Sequence, residues 1–213
     1  MQVALLNGSP KGENSASQVI LDLAEAALPD SFSIAPLLLK TPKVDKTTVL
    51  RLASCDLLVW AFPLYVDAVP SHLLPWLSQL EKWFLNSEKV KPKVYALINC
   101  GFYEAEQNEI ALEILRNWCA KAGLSWGQGM GIGAGGVFLG LKNISFGRWP
   151  FGSLARFLRV FSANLTLQKS GPDLFVSPDF PRFGYKLAAE FSWRRAVKRN
   201  GLKLKDLHRK IVH

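Results

Sequence analysis

Cysteine and histidine are scarce in this sequence of 213 residues, which contains three of each. Cys55, Cys100 and Cys119 lie far apart and form no close pair. This scatter argues against a disulfide framework, a zinc site or an iron–sulfur cluster held by this chain. The sequence therefore predicts buried free thiols and no metal site.

Long uninterrupted hydrophobic runs are also absent, although 49% of the residues are hydrophobic. The richest stretch, residues 57–77, is interrupted by Asp67, His72 and three prolines, whereas a spanning helix needs about 20 predominantly apolar residues. The first residues lack the basic and then apolar pattern of a secretory signal. We therefore expect a cytoplasmic globular protein with a sizeable core.

Acidic residues become scarce in the last third of the chain, where the net charge of +9 is concentrated. Residues 1–136 contain 11 Lys and Arg against 13 Asp and Glu, whereas residues 137–213 contain 15 against four. This asymmetry indicates an anionic partner, a membrane surface, a cofactor phosphate or a solvated helix face. No base-reading or stacking pattern accompanies it, so we expect no nucleic-acid partner.

Apolar strand patterns and amphipathic helix patterns alternate along the chain. Because such strands pair in parallel through right-handed crossovers, the alternation predicts an α/β three-layer sandwich with a five-stranded parallel sheet in the order 2-1-3-4-5. Residues 1–136 form the predicted core, and residues 137–213 a basic helical insertion and closing helix packed on the same domain. Residues 170–183 are rich in proline and predict a loop. The predicted strands are residues 2–6, 32–39, 56–62, 93–99 and 124–132, and the predicted helices are residues 15–28, 46–54, 70–85, 106–122, 148–167 and 184–200.

A loop rich in glycine and hydroxyl side chains, NGSPKGENSAS at residues 7–17, follows the first strand. A helix N-terminus presents unpaired backbone N–H groups and a positive dipole end, which together attract phosphate. Gly8 and Gly12 permit close approach of the backbone. The loop lacks G-x-x-x-x-G-K-[ST] and G-x-G-x-x-G, which disfavours a nucleoside triphosphatase or the usual dinucleotide fingerprint. A capped turn that binds nothing is the alternative.

Two further loops are expected at the same edge of the sheet, where ligands of such folds bind. FPLYVDAVPSHL at residues 62–73 places an aromatic and apolar turn where a flat ring can stack, or where Tyr65 simply packs over the sheet edge. NCGFYEAEQ at residues 99–107 is less distinctive, and a plain turn is its alternative. The glycine-rich residues 127–136 form either a flexible pocket wall or a strand exit.

The first two loops resemble those of a known family. GSPKGENSAS resembles the GSPR-x-x-x-NS loop of NADPH-dependent FMN reductases and related flavodoxin-like oxidoreductases, and the second loop resembles their P-x-Y flavin loop. The resemblance covers residues 1–136 and implies a flavodoxin-like fold, FMN as cofactor, NADPH or NADH as electron donor, and a homodimer. It implies that the FMN phosphate is held by Ser9, Lys11, Asn14, Ser15 and Ser17, that the isoalloxazine ring is bordered by Pro63, Leu64, Tyr65 and Val66, and that the third flavin contact comes from Asn99, Gly101, Phe102 and Tyr103.

The activity that the resemblance implies is hydride transfer from a nicotinamide to FMN and on to a small-molecule acceptor, such as a quinone, a nitro or azo compound, or a metal complex. No catalytic side chain is expected, because the flavin supplies the chemistry. A flavodoxin-like electron carrier and a non-catalytic binding protein with a basic membrane-surface tail stay open as alternatives. Residues 177–202 resemble the tail of larger bacterial NAD(P)H oxidoreductases. The C-terminal segment is expected to form a lid on the flavin site, a dimer contact or a weak contact with anionic lipid.

Overall fold

The computed structural model describes residues 1–88, 90–137 and 151–209. The chain forms two compact units, Met1–Asp179 and Phe180–His213. The predicted division at Gly136 stays a prediction, while the boundary between these units lies some forty residues later. The described elements are β1 (Gln2–Asn7), α1 (Ala16–Glu25), β2 (Ser33–Leu38), α2 (Lys46–Ala53), β3 (Leu57–Pro63), α3 (Leu74–Leu85), β4 (Lys93–Asn99), α4 (Glu109–Ala122), β5 (Ser125–Ile132), α5 (Gly152–Thr166), β6 (Leu174–Val176) and α6 (Arg182–Arg199), with short 3-10 helices at Gly12–Asn14, Ser71–Leu73, Ala105–Asn108 and Leu204–His208.

The sheet is parallel throughout and confirms the predicted α/β class. Its order is β2-β1-β3-β4-β5-β6, so the prediction of five strands was wrong by one. The additional strand, β6, lies in the segment that was predicted to be a loop. The strand has only three residues, flanked by Pro172 and Pro178, and three residues are too few to show a strand pattern in the sequence. It forms because it pairs with β5, which lies more than forty residues earlier in the chain.

The edge strand β6 is attached to β5 through the side chain of Asp173. Its carboxylate accepts hydrogen bonds from the backbone N–H of Gly129 (2.8 Å) and from Trp126 Nε1 (3.2 Å), and it forms an ion pair with Arg116. This carboxylate is 9% exposed, so its partners replace most of the water that a charged group needs. One side chain therefore joins α4, β5 and β6.

The glycine-rich residues after α4 are a packed strand and its exit. A Cβ atom added at Gly131 would lie 2.8 Å from the ring of Phe175, and one at Gly133 would lie 2.2 Å from the carbonyl oxygen of Tyr103. Gly127, Gly129, Gly131 and Gly133 are all buried. The missing side chains thus allow β6 and the loop after β4 to approach β5 closely, which favours the strand-exit interpretation.

Two hydrophobic cores lie on opposite faces of the sheet. One contains Trp60 and Phe84 and is covered by α2, α3 and α4, and the other contains Tyr95 and Phe161 and is covered by α1 and α5. Successive strand residues point to opposite faces, so the central strands, buried on both, read as continuous apolar runs. The predicted three-layer arrangement is therefore present.

The helix predicted over residues 148–167 begins outside the described residues, and its described part, α5, runs from Gly152 to Thr166. The closing helix, predicted over residues 184–200, is α6 of the second unit. No helix in the part of the chain that the structure describes is long and apolar enough to cross a membrane.

Candidate functional site

The candidate site lies at the carboxyl edge of the sheet, where β1, β3 and β4 end side by side. Asn7 of β1 is in register with Ala61 of β3, and Pro63 of β3 is in register with Asn99 of β4. Because neighbouring parallel strands end at the same edge, the three loops that follow them start next to one another.

Asn7 braces the first loop from inside. Its side-chain oxygen accepts from the backbone N–H of Ser9 (2.9 Å), and its Nδ2 donates to the carbonyl oxygen of Gly12 (3.1 Å) and to Gln18 Oε1 (2.8 Å). The residue is 1% exposed, so these bonds replace water that it cannot reach. No role of Asn7 was predicted from the sequence, although a polar residue at the end of an apolar strand was a usable signal.

Ser15 caps α1 and closes the loop. Its hydroxyl accepts from the backbone N–H of Gln18 (3.2 Å) and donates to the carbonyl oxygen of Gly12 (2.5 Å). Gly12 has a φ of 62°, in the left-handed region that favours glycine. The cap leaves the first N–H groups of α1 without helical acceptors. The local geometry is thus that of a capped turn which still presents a helix N-terminus.

The five residues predicted to hold phosphate divide by exposure. Ser9, Ser15 and Ser17 are buried, at 1–2% exposure, whereas Lys11 and Asn14 are exposed. The three hydroxyl groups are therefore part of the loop's internal structure, and the lysine and asparagine side chains face solvent. Direct contact of all five with a phosphate stays a prediction.

Lys40, which the sequence analysis missed, reaches the first loop from another element. A Cβ atom added at Gly12 would lie 2.6 Å from Lys40 Nζ, so this ammonium group covers the loop backbone. The residues on either side of Lys40 are anchored, since the carbonyl oxygens of Leu39 and Thr41 lie 2.9 Å from His72 Nε2 and 2.8 Å from Trp76 Nε1. The available signal was the strand order, which places the end of β2 beside β1.

Asn99 joins the three loops. Its side-chain Nδ2 donates to Ser17 Oγ (2.8 Å) and to the carbonyl oxygen of Phe62 (3.2 Å), and its backbone carbonyl oxygen accepts from the backbone N–H of Leu64 (2.7 Å). Asn99 is 4% exposed. The structure thus brings Ser17, Leu64 and Asn99 together, but their side chains and backbone groups bond mainly to one another. The predicted contact of Asn99 with a cofactor stays a prediction.

The second loop folds into a tight hairpin turn. The backbone groups of Tyr65 and Ala68 exchange two hydrogen bonds of 3.2 Å, and the residues between them, Val66 and Asp67, have φ angles of 50° and 57°. Positive φ at both central residues is typical of a type I′ turn and strained for a β-branched side chain. Val66 is 97% and Tyr65 42% exposed, while Pro63 and Leu64 are half-buried. The turn therefore presents apolar surface to solvent at this edge.

The third loop presents a second exposed aromatic side chain. Phe102 is 53% exposed, and a Cβ atom added at Gly101 would meet nothing within 4 Å. The backbone N–H of Gly135 donates to the carbonyl oxygen of Cys100 (2.7 Å), which fixes this loop to the exit of β5. Tyr103 is half-buried, and its hydroxyl donates to the carbonyl oxygen of Pro178 (3.4 Å), beside β6.

The Cys100 thiol in this loop is a structural group. Burial raises the pKa of the thiol, because the charged thiolate would lose its water. Its sulfur donates weakly to the carbonyl oxygens of Glu104 (3.5 Å) and Phe102 (3.6 Å). A protonated, buried thiol is a poor nucleophile.

The chemistry of this edge suits a phosphorylated ligand with a flat ring. A helix N-terminus, neutral donors and the ammonium groups of Lys11 and Lys40 attract an anion, and the exposed carboxylate of Glu13 partly opposes them. Tyr65 and Phe102 offer aromatic surface, and the open space at Gly101 leaves room above the third loop. The residues present therefore fit the phosphate and ring of FMN.

The sequence matches no protein-family model and no curated protein, whereas the fold is similar to solved structures. An NADH:FMN oxidoreductase in its apo form is 17% identical with a TM-score of 0.57, over 80% of this chain and 90% of that chain. An FMN-dependent NADH-azoreductase from Bacillus anthracis, solved with FMN, is 12% identical with a TM-score of 0.53, over 78% and 100%. An NADPH-quinone reductase from P. pentosaceus is 14% identical with a TM-score of 0.50, over 78% and 98%.

These solved proteins are flavodoxin-like NAD(P)H reductases, and this chain has their fold. The flavodoxin-like fold predicted from the two loops is thereby confirmed, with one strand more than predicted. At identities of 12–17% the similarity concerns the fold, and the cofactors and substrates named above are those of the other proteins.

Proposed function

We propose that this protein is an FMN-dependent NAD(P)H oxidoreductase. It transfers hydride from NADPH or NADH to FMN, and from there to a small-molecule acceptor such as a quinone, a nitro or azo compound, or a metal complex. The observation that carries the proposal is the junction at Asn99, whose hydrogen bonds join the first, second and third loops at one edge of the sheet. The activities named for proteins of the same fold support it.

When bound, FMN supplies the hydride chemistry, and the chain binds and orients it. In this proposal the first loop and Lys40 hold the phosphate. The ammonium groups of Lys11 and Lys40 balance its charge, and the helix N-terminus of α1 adds N–H donors. The turn at Pro63, Leu64, Tyr65 and Val66 and the loop at Gly101, Phe102 and Tyr103 border the ring.

Asn99 and Ser17 act in this proposal as positioning residues. Their mutual hydrogen bond holds α1, which carries the phosphate donors, against the end of β4. The distance between the phosphate loop and the aromatic turn is then set by buried, satisfied groups rather than by mobile side chains. A homodimer, implied by the family resemblance, is part of the same proposal.

The deciding experiment is an anaerobic titration of the FMN-loaded protein with NADH and with NADPH. We expect loss of the flavin absorbance with at least one donor, and its return on addition of a quinone. A flavin that stays oxidised with both donors favours the electron carrier. A protein that binds no FMN at micromolar concentration contradicts the proposal altogether.

Ser15→Asp tests the position of the phosphate without removing the helix cap. Asp is as good an N-cap as Ser, so α1 keeps its start, although a carboxylate cannot replace the hydrogen bond that Ser15 donates to Gly12. The new carboxylate repels the phosphate, and we expect FMN affinity to fall about tenfold or more. Riboflavin, which lacks the phosphate, serves as the matched ligand. Equal losses for FMN and riboflavin, or none for either, place the phosphate elsewhere.

A further inference from the structure

The helix α6 of the second unit buries none of its 18 residues. Isolated helices are marginally stable in water, and most helices in proteins are stabilised by packing an apolar face. Phe183, Leu187 and Phe191, which are 70%, 62% and 68% exposed, follow one another at intervals of four residues. This spacing places them on one side of the helix. Within the described residues, these three side chains thus form a short apolar stripe that is exposed to solvent.

The same unit carries most of the net positive charge of the chain. Residues 180–213 contain ten Lys and Arg against two Asp and Glu, in a protein of net charge +9. Arg194 and Lys198 are exposed and lie three and seven residues after Phe191. They therefore continue the line of the apolar stripe toward the end of the helix. Arg195 and Arg199, also exposed, add to the cationic end.

A second apolar area lies between α6 and the 3-10 helix Leu204–His208. Trp193, Leu204 and Leu207 are 65%, 41% and 42% exposed. They border an open groove of about 550 Å³, together with Glu190 and Arg194. Tryptophan, with its apolar ring and polar N–H, suits the boundary between acyl chains and water.

We propose that α6 and the following 3-10 helix dock onto the surface of an anionic phospholipid bilayer. Phe183, Leu187 and Phe191 enter the boundary between headgroups and acyl chains, and the cationic end of α6 contacts the headgroup phosphates. We call the exposed stripe together with these cations the docking face. This inference concerns a different unit from the flavin site and does not depend on FMN.

Charge and chemistry favour lipid over other occupants. A second copy of the docking face would bring a strongly positive surface against itself, which is repulsive. A nucleic acid would pair with the cations but leave the Phe and Leu side chains unused. A bilayer with anionic headgroups binds the cations and the apolar side chains together, because its interface accepts apolar side chains beside fixed negative charge.

The test is co-sedimentation of the full chain with vesicles of phosphatidylcholine alone and of phosphatidylcholine mixed with phosphatidylglycerol. We expect binding to the mixed vesicles that weakens at high salt, since salt screens exposed charges. Failure to bind the mixed vesicles at low salt overturns the proposal. Equal binding to both vesicle types overturns the role of the cations.

Two matched pairs of variants locate the surface. The double variant R195Q/K198Q should partition about thirtyfold more weakly, since each surface cation contributes about fivefold, whereas the exposed lysines K43Q/K46Q of the first unit should have no comparable effect. F183S/F191S should bind the mixed vesicles about tenfold more weakly, whereas L50S/L85S, at two exposed but less accessible positions of the first unit, should bind as the native protein does. Unchanged far-ultraviolet circular dichroism shows that each variant is folded.

The same variants separate lipid from the other occupants. If the full chain binds a nucleic-acid duplex but not anionic vesicles, or if F183S/F191S converts an oligomer into a monomer without affecting vesicle binding, the proposal is overturned. Loss of vesicle binding in the docking-face variants, with both control variants unaffected, supports it.

Discussion

Asn99 shows how one buried amide can determine the arrangement of three loops. The residue is only 4% exposed, yet each loop of the site is bonded to it or starts beside it. At the residue scale, the site therefore depends on side chains that position others. Asn7 does the same within the first loop.

Replacing Asn99 with Ala should loosen this edge. Ser17 Oγ and the carbonyl oxygen of Phe62 lose their common donor, and we expect the free energy of unfolding to fall by about 1–3 kcal/mol. FMN affinity should fall with it. Urea unfolding and FMN titration measure the two effects, with the exposed Asn117→Ala as control. A variant as stable as the control contradicts the positioning role.

Lys40→Ala tests the residue that strand order, rather than sequence spacing, brings to the first loop. Loss of one ammonium group near the phosphate should weaken FMN binding about threefold to fivefold at low salt, as for a solvent-accessible ion pair. The salt dependence of FMN binding should become shallower. Lys43→Ala, an exposed lysine three residues away, provides the comparison. Identical behaviour of the two variants would remove Lys40 from the site.

At the scale of elements, β6 is a short strand that depends on one carboxylate. Asp173, which directly precedes β6, bonds to Gly129 and Trp126 and pairs with Arg116. Three residues alone contribute few ladder hydrogen bonds. The strand therefore exists because tertiary contacts hold it against β5.

Asp173→Ala should release this edge of the sheet. The buried backbone N–H of Gly129 loses its acceptor, while the half-exposed guanidinium of Arg116 stays solvated, so we expect a loss of about 1–3 kcal/mol in the free energy of unfolding. Hydrogen exchange should increase first in β6. The exposed Asp30→Ala is the control in urea unfolding. A loss no larger than that of the control would mean that β6 is held by its apolar contacts.

The hairpin turn of the second loop carries backbone strain at Val66. Asn adopts positive φ more readily than a β-branched residue, so Val66→Asn should raise the free energy of unfolding by about 1 kcal/mol. Val90→Asn, at an equally exposed position outside the turn, should give no such gain. If Val66 borders the ring as proposed, its variant binds FMN more weakly although it is more stable.

At the scale of the whole molecule, buried weak acids tie stability to pH. Burial raises the pKa of the Cys119 thiol to about 12, and burial raises the pKa of the Tyr95 hydroxyl to about 12. In the unfolded chain these groups ionise at about their ordinary values, near 9 and 10. The contribution of these two groups to the free energy of unfolding is fully present below pH 9 to 10 and is lost as the pH rises toward 12.

Cys119→Ala should therefore change the alkaline limb of the stability curve. Between neutral pH and about pH 10, we expect the native sequence to lose free energy of unfolding, and Cys119 accounts for about 1 kcal/mol of that loss. The variant should lose that much less over the same interval, whatever its stability at neutral pH. Urea unfolding at the two pH values measures the difference. An unchanged slope would contradict the burial of the thiol.

Charge, too, is organised at this scale. Most of the net positive charge lies beyond Phe180, and the three loops of the candidate site lie in the first unit. The two proposals therefore rest on separate parts of the chain and can fail independently.

The sequence by itself was enough for the parallel α/β architecture, because strands buried on both faces read as continuous apolar runs between amphipathic helices. It was also enough to find the two distinctive loops, since glycine, hydroxyl side chains and an aromatic turn cluster locally in the chain. These features depend on neighbours within a few residues, and local patterns predict them well.

Tertiary structure decided what depends on residues far apart in sequence. β6 became a strand only beside β5, Lys40 reached the first loop only because β2 lies beside β1, and Asn99 became the junction only where three strands end together. Each is set by packing across the sheet, and no local pattern in the sequence encodes the distance between two such segments.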